Sequence, residues 1–184
     1  MNKKIQNKVK IFKIFLIFLE FIVFEDYIYL YNRIFHKFFN IIDISIIIPI
    51  FNREACLSLC LNSVINQSLR NIEIICIDDG STDNSLKILK EYKNKDNRLI
   101  IIHQENQGSA KARNRGIKIS KGKFIAFIDS DDIYPNNFTL EFMFKMAIKN
   151  KVLICGGGIT TFIQYNNEIK LLVFYYLNIC NKFI

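Results

Sequence analysis

Short apolar runs alternate along the middle of the chain with stretches in which apolar residues recur every three or four positions. The runs are Ile44–Ile50, Ile72–Ile77, Leu99–Ile102 and Phe124–Ile128. They are short and mostly β-branched, which reads as strands buried on both faces. Pro49 is expected to end the first, because proline cannot continue a central ladder. Between the runs, Glu54–Gln67 carries Leu57, Leu61, Val64 and Ile65 at helical spacing. A second helix, capped by Ser81 or Thr82, carries Leu86, Leu89 and Tyr92 to about Asn94. A third opens at Asn106–Ser109 and runs to about Ile119, with Ala110, Asn114 and Ile117 on one face and Asn114 turned inward onto buried backbone groups. A fourth starts at Pro135–Asn137 and places Phe138, Phe142 and Met146 in line. Val152–Cys155 reads as a further strand ending in Gly156–Gly158. Strand and helix alternating four times predict an α/β fold, a mostly parallel sheet with flanking helices.

The ends of the chain have another texture. Residues 1–42 begin polar and basic and continue, from Ile11 to Ile42, as an apolar stretch interrupted by Lys13, Glu20, Glu25, Asp26, Arg33 and Lys37. The uninterrupted runs are far shorter than the ~18 residues of a spanning helix, and no small-residue cleavage site follows them. A helix so nearly apolar all round needs covering. It packs on the domain, pairs with another chain or lies in a membrane interface as a peripheral contact, unless it is non-native leader sequence. The expected organisation is an amino-terminal apolar/basic helical segment (1–42), a folded domain (43–158) and an apolar tail (159–184).

Charge sharpens this division. The net charge of +8 splits into +4 for residues 1–42, +2 for 43–150 and +2 for 151–184. The basic excess sits outside the patterned middle, so a nucleic-acid-binding stripe on the folded module is excluded. The five cysteines (Cys56, Cys60, Cys76, Cys155, Cys180) form no CxxC pair, and His36 and His103 stand apart. Zinc is therefore not expected, and free thiols suit a reducing compartment. The expected location is the cytoplasm, or the cytoplasmic face of a membrane.

The chemistry gathers after the strands. Phe124–Ile128 stops in Asp129, Asp131 and Asp132. A buried strand cannot hold three such acids, so they sit past its end, where they repel one another. They form either a solvated acidic turn or a site for a divalent cation held through oxygen. Three more polar stretches follow strands: Phe51–Glu54, Asp78–Ser81 and Gln104–Gly108. Open α/β sheets bind ligands along that edge. There is neither a GxGxxG after the first strand nor a GxxxxGK[ST], so dinucleotide and P-loop sites are not supported.

Taken in order, SIIIPIFNRE, IEIICIDDGSTDNSLKIL, NQGSAKARNRGI and GKFIAFIDSDDIY resemble the donor-binding half of the family 2 glycosyltransferases, over residues 44–155. The resemblance implies a nucleotide-diphospho-sugar transferase (GT-A, Rossmann-like) fold and transfer from a nucleotide-diphosphate sugar, a UDP-sugar in the first place, to a glycan, lipid-linked or protein acceptor in cell-envelope polysaccharide synthesis. It implies that Asp131 ligates Mg²⁺ or Mn²⁺, that Asp129 is shared between the metal's water and the ribose, and that Asp79 bonds the nucleobase while Asp78 is structural. Phe51 stacks on the base or packs in the core. Asn52 and Glu54 match loop positions at the nucleotide sugar, although a first-turn acid also suits a helix start. Lys111 and Arg113 are solvated helix charges or approach the diphosphate. Family members carry a later carboxylate that serves as general base for an inverting transfer. No such catalytic base is assignable here, since Glu168 lies outside a matching motif, so the expectation is a chain cut off after its donor half. The alternative is a remnant that binds nucleotide sugar without transferring it.

Overall fold

The computed structural model describes residues 41–150, 161–165 and 168–172. Four strands form one sheet: β1 (Ile44–Ile50), β2 (Ile72–Asp78), β3 (Leu99–His103) and β4 (Phe124–Phe127). Helices α1 (Leu57–Ile65), α2 (Ser85–Lys95) and α3 (Ser109–Ile119) connect them, and α4 (Thr139–Asn150) follows. The order is β3-β2-β1-β4 and every pairing is parallel. The chain thus steps outward from β1 to β3 and returns to the other side of β1, which makes a topological switch point between β1 and β4. The stretch read as an apolar tail contains a separate antiparallel pair, β5 (Thr161–Tyr165) and β6 (Glu168–Leu172). Residues 1–40 and the expected strand Val152–Cys155 lie outside the described residues.

The isoleucine-rich strands behave as their pattern demands. All seven residues of β1 and of β2 are buried. Ile44, Ile46, Ile48, Ile50, Ile74 and Cys76 pack with Leu57, Leu61, Val64, Leu89 and Phe144 of α1, α2 and α4. On the other face Ile47, Ile75 and Ile77 meet Ala112 of α3. Pro49 does not stop β1, which runs on to Ile50 in register with Asp78. The reason is local: β1 pairs with β4 only as far as Ile47, so at Pro49 the strand has one neighbour and a missing N–H breaks no second ladder.

Two helix faces differ from the sequence expectation. On α3, Ala110, Asn114 and Ile117 are exposed, and Ala112 and Gly116 face the sheet. A Cβ on Gly116 would lie 2.5 Å from Ile47 Cγ2. Two small residues one turn apart let the helix sit close on the sheet, a signal that counting large apolar residues overlooks. Asn114 accordingly does not serve buried backbone groups. At α4, Phe138, just before the helix, and Phe142 are exposed, whereas Leu140, Phe144 and Ala147 are buried. The helix starts at Thr139, later than expected, after an Asn136 Oδ1 turn that receives the Phe138 N–H at 2.9 Å. The inward stripe lies two residues along from the expected one. Similarly, α1 begins at Leu57 because Arg53–Cys56 form a turn, with Leu57 N donating to Arg53 O at 2.9 Å.

A buried acid braces the opposite end of the sheet. Glu73, 4% exposed, accepts Ser45 Oγ at 2.5 Å and the Lys121 N–H at 2.6 Å through Oε1. Ser45 Oγ in turn accepts the Gly122 N–H at 2.7 Å. Sequence pattern alone did not single out Glu73, since its partners are loop amides far along the chain.

Candidate functional site

The four polar loops lie at the carboxyl ends of the strands, and hydrogen bonds lace them in pairs. In the loop after β1, Asn52 takes the left-handed conformation at φ 51°. Its N–H donates to Ser81 Oγ at 3.0 Å and its Oδ1 accepts the Thr82 N–H at 2.8 Å. Glu54 donates its N–H to Asp83 Oδ2 at 3.0 Å. Its carboxylate accepts Asn84 N at 2.8 Å and Asn84 Nδ2 at 2.9 Å. Both residues therefore tie the β1 loop to the start of α2, where Glu54 satisfies an N–H that the helix itself leaves free. Phe51 is 44% exposed beside them, outside the core.

The loops after β2 and β3 are joined through two aspartates. Asp78 is fully buried, with Oδ2 2.6 Å from His103 Nδ1 and Oδ1 accepting the Ser81 N–H at 3.3 Å. Asp79, 2% exposed, accepts Gln104 Nε2 at 2.6 Å and the Gln107 N–H at 2.9 Å on Oδ1, and the Gly108 N–H at 2.8 Å on Oδ2. Burial works to raise the Asp79 pKa. The bonds from Gln104, Gln107 and Gly108, together with the Lys111 charge, outweigh it and hold the carboxyl below its usual range. A carboxylate offers about four lone pairs; three are used here, so one on Oδ2 remains. The turn needs Gly80, at φ 78°, because a Cβ there would lie 2.9 Å from Asn106 N.

The acidic turn follows β4. Its backbone closes through Asp132 N to Asp129 O at 2.9 Å. Asp129 and Asp131 are about half exposed, with side-chain exposures of 51% and 53%. Each faces an arginine from elsewhere in the chain: Nη2 of Arg113, on α3, lies 2.5 Å from Asp129 Oδ1, and Nη2 of Arg53, in the loop after β1, lies 3.4 Å from Asp131 Oδ2. Arg113 thus belongs to the acidic turn. Arg53 is a site residue that sequence reading passed over, since nothing in FNRE shows which later acid it meets. Asp132 is pushed up, by partial burial first and then by the charges of Asp131 and Asp129. Beneath the turn, burial, with Asp132 next, raises the Cys60 thiol to about 12. Among the described residues, no three acid, histidine or cysteine side chains converge on one point. A shallow cleft of about 420 Å³ on the flank of α3 is lined by Gln104, Gln107, Lys111, Asn114, Arg115 and Lys118; the acids of the turn are not among its walls.

Comparison with known proteins agrees with this arrangement. A family model described as glycosyl transferase family 2 matches residues 45–183. The chain is similar to the glycosyltransferase GlyG of Streptococcus pneumoniae, 46% identical over 115 residues, which are 62% of this chain and 38% of GlyG. It is also similar to a poly(ribitol-phosphate) beta-glucosyltransferase of Bacillus spizizenii, 47% identical over 70% of this chain and 22% of the relative. The chain thus spans well under half the length of these relatives. Among solved structures, S. aureus TarS 1–349 in complex with UDP-GlcNAc superposes with a TM-score of 0.51 at 36% identity, covering 54% of this chain and 29% of that one.

Proposed function

The chain belongs to glycosyltransferase family 2, and from that premise we propose that it binds a nucleotide-diphosphate sugar, UDP-linked in the first place, and takes part in metal-dependent transfer of the sugar to an envelope glycan or lipid-linked acceptor. The carrying observation is the pair of half-exposed acids at the switch point, one matched by Arg113 of α3 and the other by Arg53 of the loop after β1. The TarS complex with UDP-GlcNAc supports the donor class.

A divalent cation fits the donor set. Asp129 and Asp131 offer hard oxygen atoms open to solvent, and Asp132, pushed up by burial first and by the charges of Asp131 and Asp129 after it, stands beside them. When bound, Mg²⁺ or Mn²⁺ supplies charge neutralisation for the leaving diphosphate. The chain's own residues do the rest. Asp131 and Asp129 would hold the ion, with Asp129 also turned to the ribose. Asp79 keeps one lone pair for the nucleobase while its other contacts fix the loop. Phe51 offers a ring face at the mouth, and Asn52 and Glu54 hold the loop that carries Phe51 and Arg53. With a cation on the acids, Arg53 and Arg113, which now pair with Asp131 and Asp129, would be free to meet phosphate oxygens. We place the reaction in the cytoplasm, consistent with free Cys56, Cys60 and Cys76, with the apolar residues 11–42 as its contact to a membrane face.

Asp131→Asn tests the reading. The variant is expected to lose Mn²⁺-dependent UDP binding by at least tenfold while its unfolding midpoint is kept, measured by calorimetric titration with and without Mn²⁺. Unchanged affinity would remove Asp131 from the site.

A further inference from the structure

The acidic turn is held from below by a stripe of small polar side chains on α1. Cys56, Cys60, Ser63 and Gln67 are spaced four, three and four residues apart, so they share one side of the helix and the turn after it. They bond in order along the segment that leaves β4. Cys56 Sγ donates to Ser130 O at 3.7 Å and Cys60 Sγ to Asp129 O at 3.6 Å. Ser63 Oγ accepts the Tyr134 N–H at 3.1 Å. Gln67 is fully buried and bonds this segment twice, donating Nε2 to Asn136 O at 2.7 Å and accepting the Leu140 N–H at 3.0 Å, while Nε2 also donates to Ser63 O at 3.0 Å. Just beyond, Ser68 N donates to Asn137 O at 2.7 Å, and Ser68 Oγ bonds Glu141.

This ladder matters because the turn's other holds are its own Asp132 N to Asp129 O bond and two arginines that reach its side chains from the solvent side. β4 ends at Phe127, and Asp129 and Asp131 carry half-exposed side chains. Where their side chains start is set by the backbone of residues 129–134, which α1 and its first flanking residue bond at Asp129, Ser130 and Tyr134. A metal ligand must be oriented by groups behind it, since a free carboxylate loses affinity in being ordered.

We propose that α1 is a splint for the acidic turn and that Cys60, Ser63 and Gln67 are positioning residues for Asp129 and Asp131. The inference rests on the metal reading above and adds residues that touch neither metal nor substrate. Ser63→Ala and Gln67→Met remove acceptors. Cys60→Ala removes a donor that Cys60→Ser retains.

Two measurements on the full chain test it. Amide exchange of Tyr134 and Leu140 reports the turn without any ligand, and Mn²⁺ affinity in the presence of UDP, read from the free-Mn²⁺ resonance signal, reports the site. Ser63→Ala is expected to speed exchange at Tyr134, and Gln67→Met at Leu140. Ser63→Ala and Cys60→Ala are each expected to weaken Mn²⁺ binding roughly 2- to 10-fold, the worth of one hydrogen bond. Cys60→Ser should stay near the wild type, and UDP affinity without metal should not move. Exchange rates unchanged from the wild type, or full Mn²⁺ affinity despite faster exchange, would overturn the proposal. A wild-type chain that holds no Mn²⁺ with UDP would instead remove the metal reading, and the exchange rates would still decide whether α1 holds the turn.

Discussion

Gly122 shows how much a single missing side chain decides. A Cβ there would lie 2.4 Å from Ser45 N and 2.7 Å from Ser45 Oγ. Both belong to the buried start of β1, which has nowhere to move. Gly122→Ala is therefore expected to cost about 3 kcal/mol, at the upper end of overpacking effects, read from urea unfolding. Glu73 explains the crowding, since its carboxylate draws Ser45 and the Lys121 amide together. At this scale the sequence was legible where chemistry is written in the residue type itself. Asp79, Asp129 and Asp131 stood out as acids after apolar runs, and they meet in loops at one edge. Arg53, Glu73 and Gln67 did not stand out, because each takes its meaning from a partner tens of residues away.

The helices carry the clearest lesson about pattern. Phe138, Phe142 and Met146 keep helical spacing as well as Leu140, Phe144 and Ala147 do, and hydrophobicity favours the first set. Burial selects the second. The contact that fixes the rotation is written elsewhere in the chain: buried Gln67 receives the Leu140 N–H and draws that side of the helix inward. On α3 the decision went to the smallest residues, because closeness to the sheet was worth more than the area of Ile117. Phe144→Ala is expected to cost about 3–5 kcal/mol, for loss of a buried ring stacked edge-on to Phe124. Phe142→Ala should cost no more than about 0.5 kcal/mol, as befits an exposed position. Denaturant midpoints of the two variants would check the assignment of the face, and equal losses would contradict it.

Across the whole molecule, the parallel order and the gathering of four loops follow from alternation alone, which is why both were visible in the chain. Their electrostatic consequence was not. Asp79, Asp83 and Asp96 are all held below the usual carboxylate range, each against the opposing effect of burial. A depressed folded-state pKa contributes stability above the unfolded value, near 3.8, and that contribution disappears as pH falls through the folded value. Urea midpoints are therefore expected to hold between pH 7 and 5 and to drop below about pH 4. Asp132, shifted the other way, opposes this slightly by favouring the fold as it protonates. A midpoint that rose on acidification would contradict the assignment.

The register of β1 has a consequence for how the chain is made. β1 is buried along its whole length, yet its partner on one side, β4, begins about 80 residues downstream, where Phe124 meets Ile44. On a ribosome that adds residues from the amino end, ISIIIPI emerges before the other three strands of its sheet and waits longest. Until Phe124–Phe127 arrives, one edge of the most apolar strand is an open template for other chains. Nascent copies stalled before residue 124 should be the ones that chaperones hold and that aggregate when chaperones are withdrawn, and the hazard should end once β4 closes against β1.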